Sequence, residues 1–355
     1  MNLKRILSLA LAASLSVLAL AGCGETAATN SESRNKTSTT TASAANNDTA
    51  ATSDESTGSS SGAELRIAAQ PYPLYTPIYV AYEEGYLQEE FDKIGAAYTW
   101  QEFKSGPLVN EAVAAGEADL GFMADLPAII AKSSGQPIEI ISNVAYGEKG
   151  LAVLIKPDSD ITSVADLKGK KVAYATGSYA QHLLAVLLDN EGLSLDDVES
   201  VNLAAGDQPA ALASGEVDAI VIWEQYISQL TSDGTAKVLA DGTGVKRGNM
   251  ITYILSDYAD ENPEVVKAWI RALNRGNELL QSDPDAAAEA VAEDFGVDKD
   301  LMRKIINNFT YSTELTDDDI AEITAVKDFS LEAGIITEDV DISSFINTEY
   351  LDSLD

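Results

Sequence analysis

The segment from Val164 to Leu188 has the order of a buried strand, a loop of small residues and an apolar helix, joined without a break. This order leaves the first backbone amides of the helix, at Thr176 to Gln181, without helical partners at the end of a strand. Anionic ligands tend to bind at such a position. The segment therefore predicts an anion-binding site.

Two interpretations of this helix start remain open, and they can hold together. Ser178 and Gln181 have the spacing of a capping box, in which each side chain satisfies the other residue's backbone amide. Alternatively, the hydroxyls of Thr176 or Ser178 and the amides of Tyr179 and Ala180 bind an anion directly.

Strands and helices alternate along the chain, and the same strand-helix-strand unit occurs in both halves. Residues 115–119 and 214–218 occupy matching places before a strand. The alternation predicts parallel sheets that are covered on both faces, with right-handed crossovers. Ligands of open sheets of this kind bind outside the carboxyl ends of the strands. The loops at those ends are residues 70–76, 124–127, 175–178 and 223–226.

Aromatic and acidic side chains in these loops are candidate ligand contacts. Tyr72 and Tyr75 follow the first strand among prolines, so we expect them in a cleft. Trp223 ends a buried strand, where it either packs in the core or faces the cleft. Glu224 either receives a ligand amine or caps the next helix.

The charge balance limits the classes of partner. The chain has 23 Lys and Arg against 57 Asp and Glu, a formal net charge of −34 at pH 7. Such a field repels nucleic acid and anionic lipid. A bound anion must therefore be held by local dipoles and a few cations, of which Lys104, Lys246 and Arg247 lie near the predicted cleft or crossing segments. Arg247 could form a forked pair with a sulfonate or carboxylate.

Catalysis has no positive signal in the sequence. His182 is the single histidine and Cys23 the single cysteine. Zinc sites of the common kinds are therefore excluded, and a glycine-lysine phosphate loop is absent. We expect no enzyme activity, cofactor or metal.

The amino terminus predicts an exported and lipidated protein. Residues 1–22 combine Lys4 and Arg5 with a short apolar run, which is typical of a cleaved signal peptide and too short for a membrane span. Cys23 follows small residues in a pattern that resembles a bacterial lipobox. Residues 23–63 are poor in large apolar residues, so we expect a lipidated, disordered tether.

Four segments of the body, taken in order, resemble a known family. They are residues 102–107, 116–121, 164–173 and 218–224. They resemble the substrate-binding lipoproteins of ABC importers for aliphatic sulfonates, taurine and nitrate, and the similarity covers nearly all of the body from Leu65.

The resemblance implies an α/β fold of the type II periplasmic-binding-protein class, with two doubly wound lobes, a cleft and two crossing segments. We place lobe 1 at residues 64–150 plus 247–355 and lobe 2 at 151–246, with crossings near Ala145–Lys156 and Ala240–Ile254. It also implies a monomer on the outer face of the cytoplasmic membrane. This monomer would bind a small solute and deliver it to an ABC permease with its ATPase subunit.

The resemblance also places the ligand site in the cleft between the lobes. Met123, Ala124 and Asp125 stand where relatives often have a small polar tripeptide, which puts a hydroxyl contact from that loop in doubt. The full set of expected ligand contacts is Gln70, Tyr72, Tyr75, Ser105, Met123, Ala124, Asp125, Thr176, Gly177, Ser178, Tyr179, Gln181, Trp223, Glu224 and Arg247.

The cargo expected first is an alkanesulfonate or taurine. Relatives of this fold also bind pyrimidine precursors of thiamine, and the tyrosines could stack on such a ring. A pyrimidine-synthesising enzyme of the same architecture is a distant third interpretation, because it depends on histidine and cysteine chemistry that this chain lacks.

Overall fold

The computed structural model of the protein describes residues 62–354. The predicted signal peptide, Cys23 and nearly all of the predicted tether lie outside these residues. Within them, eleven strands form two sheets. The strands are β1 (Glu64–Ala69), β2 (Ala97–Glu102), β3 (Leu120–Ala124), β4 (Ile138–Tyr146), β5 (Leu151–Ile155), β6 (Lys171–Tyr174), β7 (Glu199–Asn202), β8 (Ala219–Trp223), β9 (Lys237–Asp241), β10 (Met250–Leu255) and β11 (Thr310–Tyr311).

The two sheets repeat one strand order. The first sheet has the order β11-β4-β10-β3-β1-β2, and the second has β7-β6-β8-β5-β9. As predicted, β1 runs parallel to β2 and β3 in the first sheet, and β6 runs parallel to β7 and β8 in the second. The expectation of wholly parallel sheets was wrong, since β10 and β5 run antiparallel to both neighbours. Each of these strands enters directly from the other sheet, so no crossover helix fixes its direction.

Helices cover the sheets and connect their strands. Up to the end of the second sheet they are α1 (Thr76–Glu83), α2 (Tyr86–Ile94), α3 (Gly106–Ala114), α4 (Asp125–Ser133), α5 (Tyr179–Asn190), α6 (Gln208–Ser214) and α7 (Tyr226–Ser232). The sequence reasoning missed α2. Its apolar Leu87 and Phe91 are spaced for one helix face, and Gly85 and Gly95 flank it in left-handed conformation.

The carboxyl-terminal part of the chain is helical and returns to the first sheet. Its helices are α8 (Ser256–Glu261), α9 (Pro263–Ser282), α10 (Pro284–Val291), α11 (Lys299–Ile306), α12 (Asp317–Glu332), α13 (Ile342–Phe345) and α14 (Glu349–Asp352). Helices α9 and α10 begin at Pro263 and Pro284, which suit the first position of a helix. Thr316 and Asp319 form a capping box at the start of α12.

The matching units of the two halves share one structural device. The Asp119 carboxylate accepts the backbone N–H of Arg66 at 3.0 Å, and that of Asp218 accepts the N–H of Lys171 at 2.9 Å. Each aspartate thus joins the third parallel strand of its sheet to the first. The sequence match between residues 115–119 and 214–218 therefore reflects equivalent positions in the two sheets.

The chain passes between the sheets twice. It leaves the first sheet at Tyr146 and enters the second at Leu151, and it returns between Asp241 and Met250. Both passages fall inside the crossing segments expected near Ala145–Lys156 and Ala240–Ile254. Among residues 62–354, none of the helices combines the length and apolar character needed to cross a bilayer.

Candidate functional site

A small cavity lies between the two sheets, at the carboxyl ends of their strands. The first sheet and its connections supply seven wall residues, and the second supplies three. The wall consists of Gln70, Tyr72, Leu74, Tyr75, Gly106, Ala124, Pro127, Ser178, Tyr179 and Trp223. Every one of these side chains is uncharged, so no formal charge stands in the wall.

Four helices present their amino-terminal ends to this cavity. Tyr75 is the N-cap of α1, Gly106 is the first residue of α3, Ala124 is the N-cap of α4, and Ser178 is the N-cap of α5. Each helix start carries a partial positive charge from its aligned peptide dipoles. The cavity is therefore neutral in formal charge but favours an anion.

Three aromatic side chains in contact line the cavity from one sheet to the other. The ring of Tyr72 meets Trp223 edge-on with centroids 5.7 Å apart, and Tyr179 lies 5.7 Å from the same indole. The Trp223 indole N–H is buried and has no hydrogen-bond partner among residues 62–354. It is therefore a donor available to a ligand.

The cavity tyrosines remain protonated donors. Burial raises the pKa of Tyr75 and Tyr179 well above the ordinary value. The Tyr72 hydroxyl already donates to the Lys104 carbonyl oxygen at 2.7 Å, which fixes its ring in the cavity wall.

Gly106 forms part of the wall because two helices approach closely there. A Cβ at this position would lie 2.8 Å from Cγ of Pro127 in α4, closer than packed carbons approach. Leu74, Gly106 and Pro127 were not among the predicted contacts. The Gly106-Pro107 helix start was the signal that could have indicated Gly106.

The start of α5 is capped, but not by the reciprocal box. Ser178 Oγ accepts the N–H of Ala180 at 3.3 Å, whereas Gln181 Oε1 accepts the N–H of Gly177 at 2.8 Å instead of that of Ser178. The Ser178 amide turns to the Ala175 carbonyl, because Gly177 takes a φ of 75°. Gln181 and Gly177 thus shape the loop without lining the cavity.

Asp125 lies at the start of α4 and is neutralised internally. Lys246 Nζ lies 3.0 Å from Asp125 Oδ1 and 2.8 Å from Oδ2, and both side chains are at most 1% exposed. The pair joins α4 to the second crossing segment. Asp125 and the fully buried Met123 lie next to the wall residue Ala124, outside the lining itself.

Glu224 follows Trp223 and is also engaged inside the protein. Its carboxylate accepts the N–H of Ser228 at 3.0 Å and the hydroxyl of Ser228 at 2.8 Å. The Asn308 side-chain amide donates to its Oε1 at 2.9 Å. Burial raises the pKa of Glu224, and these hydrogen bonds oppose the shift. Glu224 therefore caps the start of α7 through Ser228, which agrees with the capping interpretation.

The other predicted contacts lie around the cavity or away from it. Ser105 is the half-buried N-cap of α3. Thr176 is exposed, and its backbone N–H donates to Asn202 Oδ1 at 3.0 Å. Arg247 lines a separate open cleft of about 850 Å³ beside α12. There its guanidinium lies 3.7 Å from the Tyr146 ring centroid and 3.0 Å from Asp319.

His182 lies on α5 behind the cavity wall, in contact with the Phe329 ring of α12 at 5.2 Å. It is 3% exposed, and neither ring nitrogen has a hydrogen-bond partner within the described part of the chain. Burial lowers the pKa of His182 well below its ordinary value, and Lys246 lowers it further. The ring is therefore neutral.

A family model described as NMT1/THI5 like matches residues 72–287, which include every wall residue of the cavity except Gln70. The chain belongs to the NMT1/THI5-like family. The matched segment also spans both passages between the sheets, so it includes wall residues from both sheets.

Relatives within and around this family are named for binding. A protein of Bacillus subtilis (strain 168), named for aliphatic sulfonate binding, is 29% identical over 81% of this chain and 87% of its own length. The alkanesulfonate-binding protein SsuA from Xanthomonas axonopodis pv. citri, solved bound to MOPS, is 28% identical with a TM-score of 0.74. It matches over 81% of this chain and 98% of its own. These comparisons confirm the two-lobe periplasmic-binding-protein fold and the binding role.

One relative is an enzyme. The 4-amino-5-hydroxymethyl-2-methylpyrimidine phosphate synthase of Aspergillus parasiticus is 27% identical over 61% of this chain and 66% of its own length. The binding proteins match over more of both chains. The chain is therefore a solute-binding protein and not an enzyme of that class.

Proposed function

We propose that this protein is the extracytoplasmic solute-binding component of an ABC importer and that it captures a small organic sulfonate between its lobes. The observation that carries the proposal is the uncharged cavity with four helix starts around it. A sulfonate oxygen accepts hydrogen bonds from N–H and O–H donors and gains from each helix dipole. The aromatic wall accommodates a short apolar tail.

The roles of individual groups follow from their positions. The Trp223 indole N–H and the Tyr75 hydroxyl supply one donor from each lobe, whereas the Ser178 hydroxyl already donates to the Ala175 carbonyl oxygen at 2.6 Å. A ligand that contacts both lobes stabilises the closed arrangement, since only that arrangement offers both sets of contacts. Closure would in turn present the loaded protein to a permease and its ATPase subunit.

The names of the relatives support a sulfonate over a pyrimidine as cargo. The chain's acidity supports the same mode of binding, because a net charge of −34 gives an anion no long-range attraction. Binding then depends on oriented local donors.

Binding is tested by calorimetry and thermal unfolding with butanesulfonate, nitrate and a hydroxymethylpyrimidine. At a ligand concentration 100 times its Kd, a sulfonate stabilises the folded protein by about 2.7 kcal/mol. If the pyrimidine stabilises the protein and no sulfonate does, the proposed cargo is wrong.

A matched pair of tryptophan variants tests the donor. Trp223→Phe keeps an aromatic ring but removes the N–H, so we expect Kd for the sulfonate to rise about 10-fold, the scale of a hydrogen bond to a charged acceptor. Trp100→Phe is the control, because Trp100 stacks on Tyr82 with centroids 4.4 Å apart, away from the cavity wall. Equal Kd values for Trp223→Phe and the wild type would contradict the assigned role.

We also propose that the mature protein is a monomer held at the membrane by a lipid on Cys23. The short apolar run in residues 1–22 and the small residues before Cys23 support this anchor. Membrane fractionation of wild type and Cys23→Ser tests it, and equal release of both into the soluble fraction would contradict it. Light scattering of the soluble body measures the oligomeric state.

A further inference from the structure

Residues 308–311 form a short segment after α11 that contacts both sheets of the protein. The segment contains β11, whose Thr310 and Tyr311 pair with Tyr146 and Ala145 of β4, so it belongs to the first sheet. It stands outside the cavity wall. We call residues 308–311 the strap, because they connect two parts of the chain that carry wall residues.

The amino-terminal end of the strap reaches the second sheet. Asn308 Nδ2 donates to Glu224 Oε1 at 2.9 Å. Glu224 directly follows the wall residue Trp223 at the end of β8, and it is 1% exposed. Its two hydrogen bonds from Ser228 lie within the second sheet and its helix α7. The bond from Asn308 therefore ties the second sheet to a segment of the first.

The middle of the strap packs on the first passage between the sheets. A Cβ at Gly147 would lie 2.7 Å from Phe309 Cδ1, and a Cβ at Gly150 would lie 2.6 Å from Phe309 Cζ. Packed carbons do not approach so closely, so the ring occupies the space that side chains at these two positions would need. The Gly150 carbonyl oxygen also accepts the N–H of Glu224 at 3.1 Å. Phe309 thus holds the strap against this passage, next to the partner of Asn308.

The carboxyl-terminal end of the strap is anchored to the loop that follows β1. The Tyr311 hydroxyl donates to the Pro73 carbonyl oxygen at 3.2 Å and lies 3.4 Å from Thr76 Oγ1. Burial raises the pKa of Tyr311, so the hydroxyl keeps its proton. Pro73 directly follows the wall residue Tyr72. The strap therefore connects the loop of Tyr72 with the residue that follows Trp223.

The two ends of the strap respond differently to a rotation of the sheets. Asn308 and Glu224 belong to different sheets, so a rotation about the passages separates them, whereas the Tyr311 contacts stay within the first sheet and its loops. A hydrogen bond to a carboxylate is stronger than one between neutral groups. A contact that exists in only one arrangement shifts the equilibrium toward that arrangement.

We propose that the strap stabilises the closed arrangement of the lobes, with Asn308 as a positioning residue that acts through Glu224. Phe309 and Tyr311 hold Asn308 in place for this contact. The inference rests on the proposed function and deepens it, because it assigns control of closure to residues outside the cavity wall. A ligand then leaves the cavity only after the bond between Asn308 and Glu224 opens.

Release of butanesulfonate tests the strap. Asn308→Leu is nearly isosteric and removes the donor, so we expect koff in stopped-flow tryptophan fluorescence to rise about 10-fold, the scale of a hydrogen bond to a charged acceptor. The rate constant of association should remain near the wild-type value, since the cavity wall is unchanged. Asn307→Leu is the control, because Asn307 is exposed and accepts from Arg303.

The distance between the lobes is measured without ligand. Nitroxide labels on Glu111→Cys and Ala210→Cys, in the Cys23→Ser protein, report on exposed positions of α3 and α6 by double electron–electron resonance. We expect Asn308→Leu to shift the distribution toward longer distances. The inference predicts both changes, so a wild-type koff or a wild-type distance distribution in Asn308→Leu would overturn it. If no sulfonate binds the wild type, the proposed function fails, and the distances alone decide on the strap.

An exchange of donor and acceptor separates this role from general destabilisation. Asn308→Asp alone sets two carboxylates against each other, and it should raise koff. Adding Glu224→Gln restores one donor and one acceptor with their places exchanged, so most of this increase should disappear. A double variant that releases the ligand as fast as Asn308→Asp would overturn the role of the bond.

Discussion

The single histidine makes one pH dependence of this protein calculable. His182 is buried with both ring nitrogens unpartnered, and burial holds its pKa well below the ordinary value of 6.5. The unfolded chain regains that ordinary value. Below pH 6.5 the unfolded state therefore binds a proton that the folded state does not, and stability is lost as the pH falls.

The magnitude follows from the linkage relation. Between pH 7.5 and 5.5, a histidine that stays neutral when folded and titrates at 6.5 when unfolded lowers the free energy of unfolding by about 1.4 kcal/mol. His182→Leu removes the titrating group and leaves an apolar side chain against Phe329. We expect the loss between these pH values to be about 1.4 kcal/mol smaller in His182→Leu than in the wild type.

Urea unfolding at both pH values measures this difference. The many carboxylates titrate in both proteins, so their contribution cancels when the two pH effects are subtracted. Phe329→Leu is the control, because it removes the ring contact but retains the histidine and its pH effect. The histidine ring proton resonance provides a second measurement, and a midpoint near pH 6.5 in the folded protein would refute the reasoning.

Three further predictions concern the ion pair, the wall glycine and a helix cap. Lys246→Met leaves Asp125 buried and unpaired, so we expect the free energy of unfolding to fall by about 3–5 kcal/mol in urea titrations. Gly106→Ala places a methyl group against α4 inside the cavity wall, so we expect calorimetry to show a rise in the sulfonate Kd of at least 10-fold. Thr316→Ala removes a side-chain cap, so we expect a loss of about 1 kcal/mol in the same urea assay.

Each of these predictions has its own control. The double variant Lys246→Met with Asp125→Leu removes both charges, and it should recover much of the lost stability. Unchanged stability in the single variant would contradict the unpaired-charge argument. Gly206→Ala tests general effects of a methyl group away from the cavity, because Gly206 is exposed and leaves room for a Cβ. Thr316→Ser keeps the hydroxyl and should unfold like the wild type, and equal loss in both threonine variants would contradict the cap.

Local signals along the chain predicted most of the fold because they act over a few residues. The prolines at positions 263 and 284 set the starts of α9 and α10, and the Thr316 capping box set that of α12. The repeated segment before Asp119 and Asp218 predicted equivalent units in the two sheets. The predicted alternation failed at β5 and β10, since their direction depends on where the chain crosses between sheets.

The site was only partly predictable because its side chains choose partners that are distant in sequence. Seven of the expected contacts lie in the cavity wall: Gln70, Tyr72, Tyr75, Ala124, Ser178, Tyr179 and Trp223. They occupy the ends of strands and the starts of helices, which periodicity and turn residues indicate. The Gly106-Pro107 pair indicates the start of α3, but Gly106 lies in the wall because α3 and α4 approach closely there, and that approach depends on residues distant in sequence.

By itself, the sequence determined an acidic protein with two α/β units whose loops meet at strand ends, because charge, periodicity and capping are local properties. Only the tertiary structure decided which charges are available to a ligand. Asp125 is paired with Lys246, 121 residues away, and Glu224 with Asn308, 84 residues away. Folding brings these partners together, and it leaves a cavity wall without formal charge, with four helix starts around it and the buried Trp223 indole N–H in it.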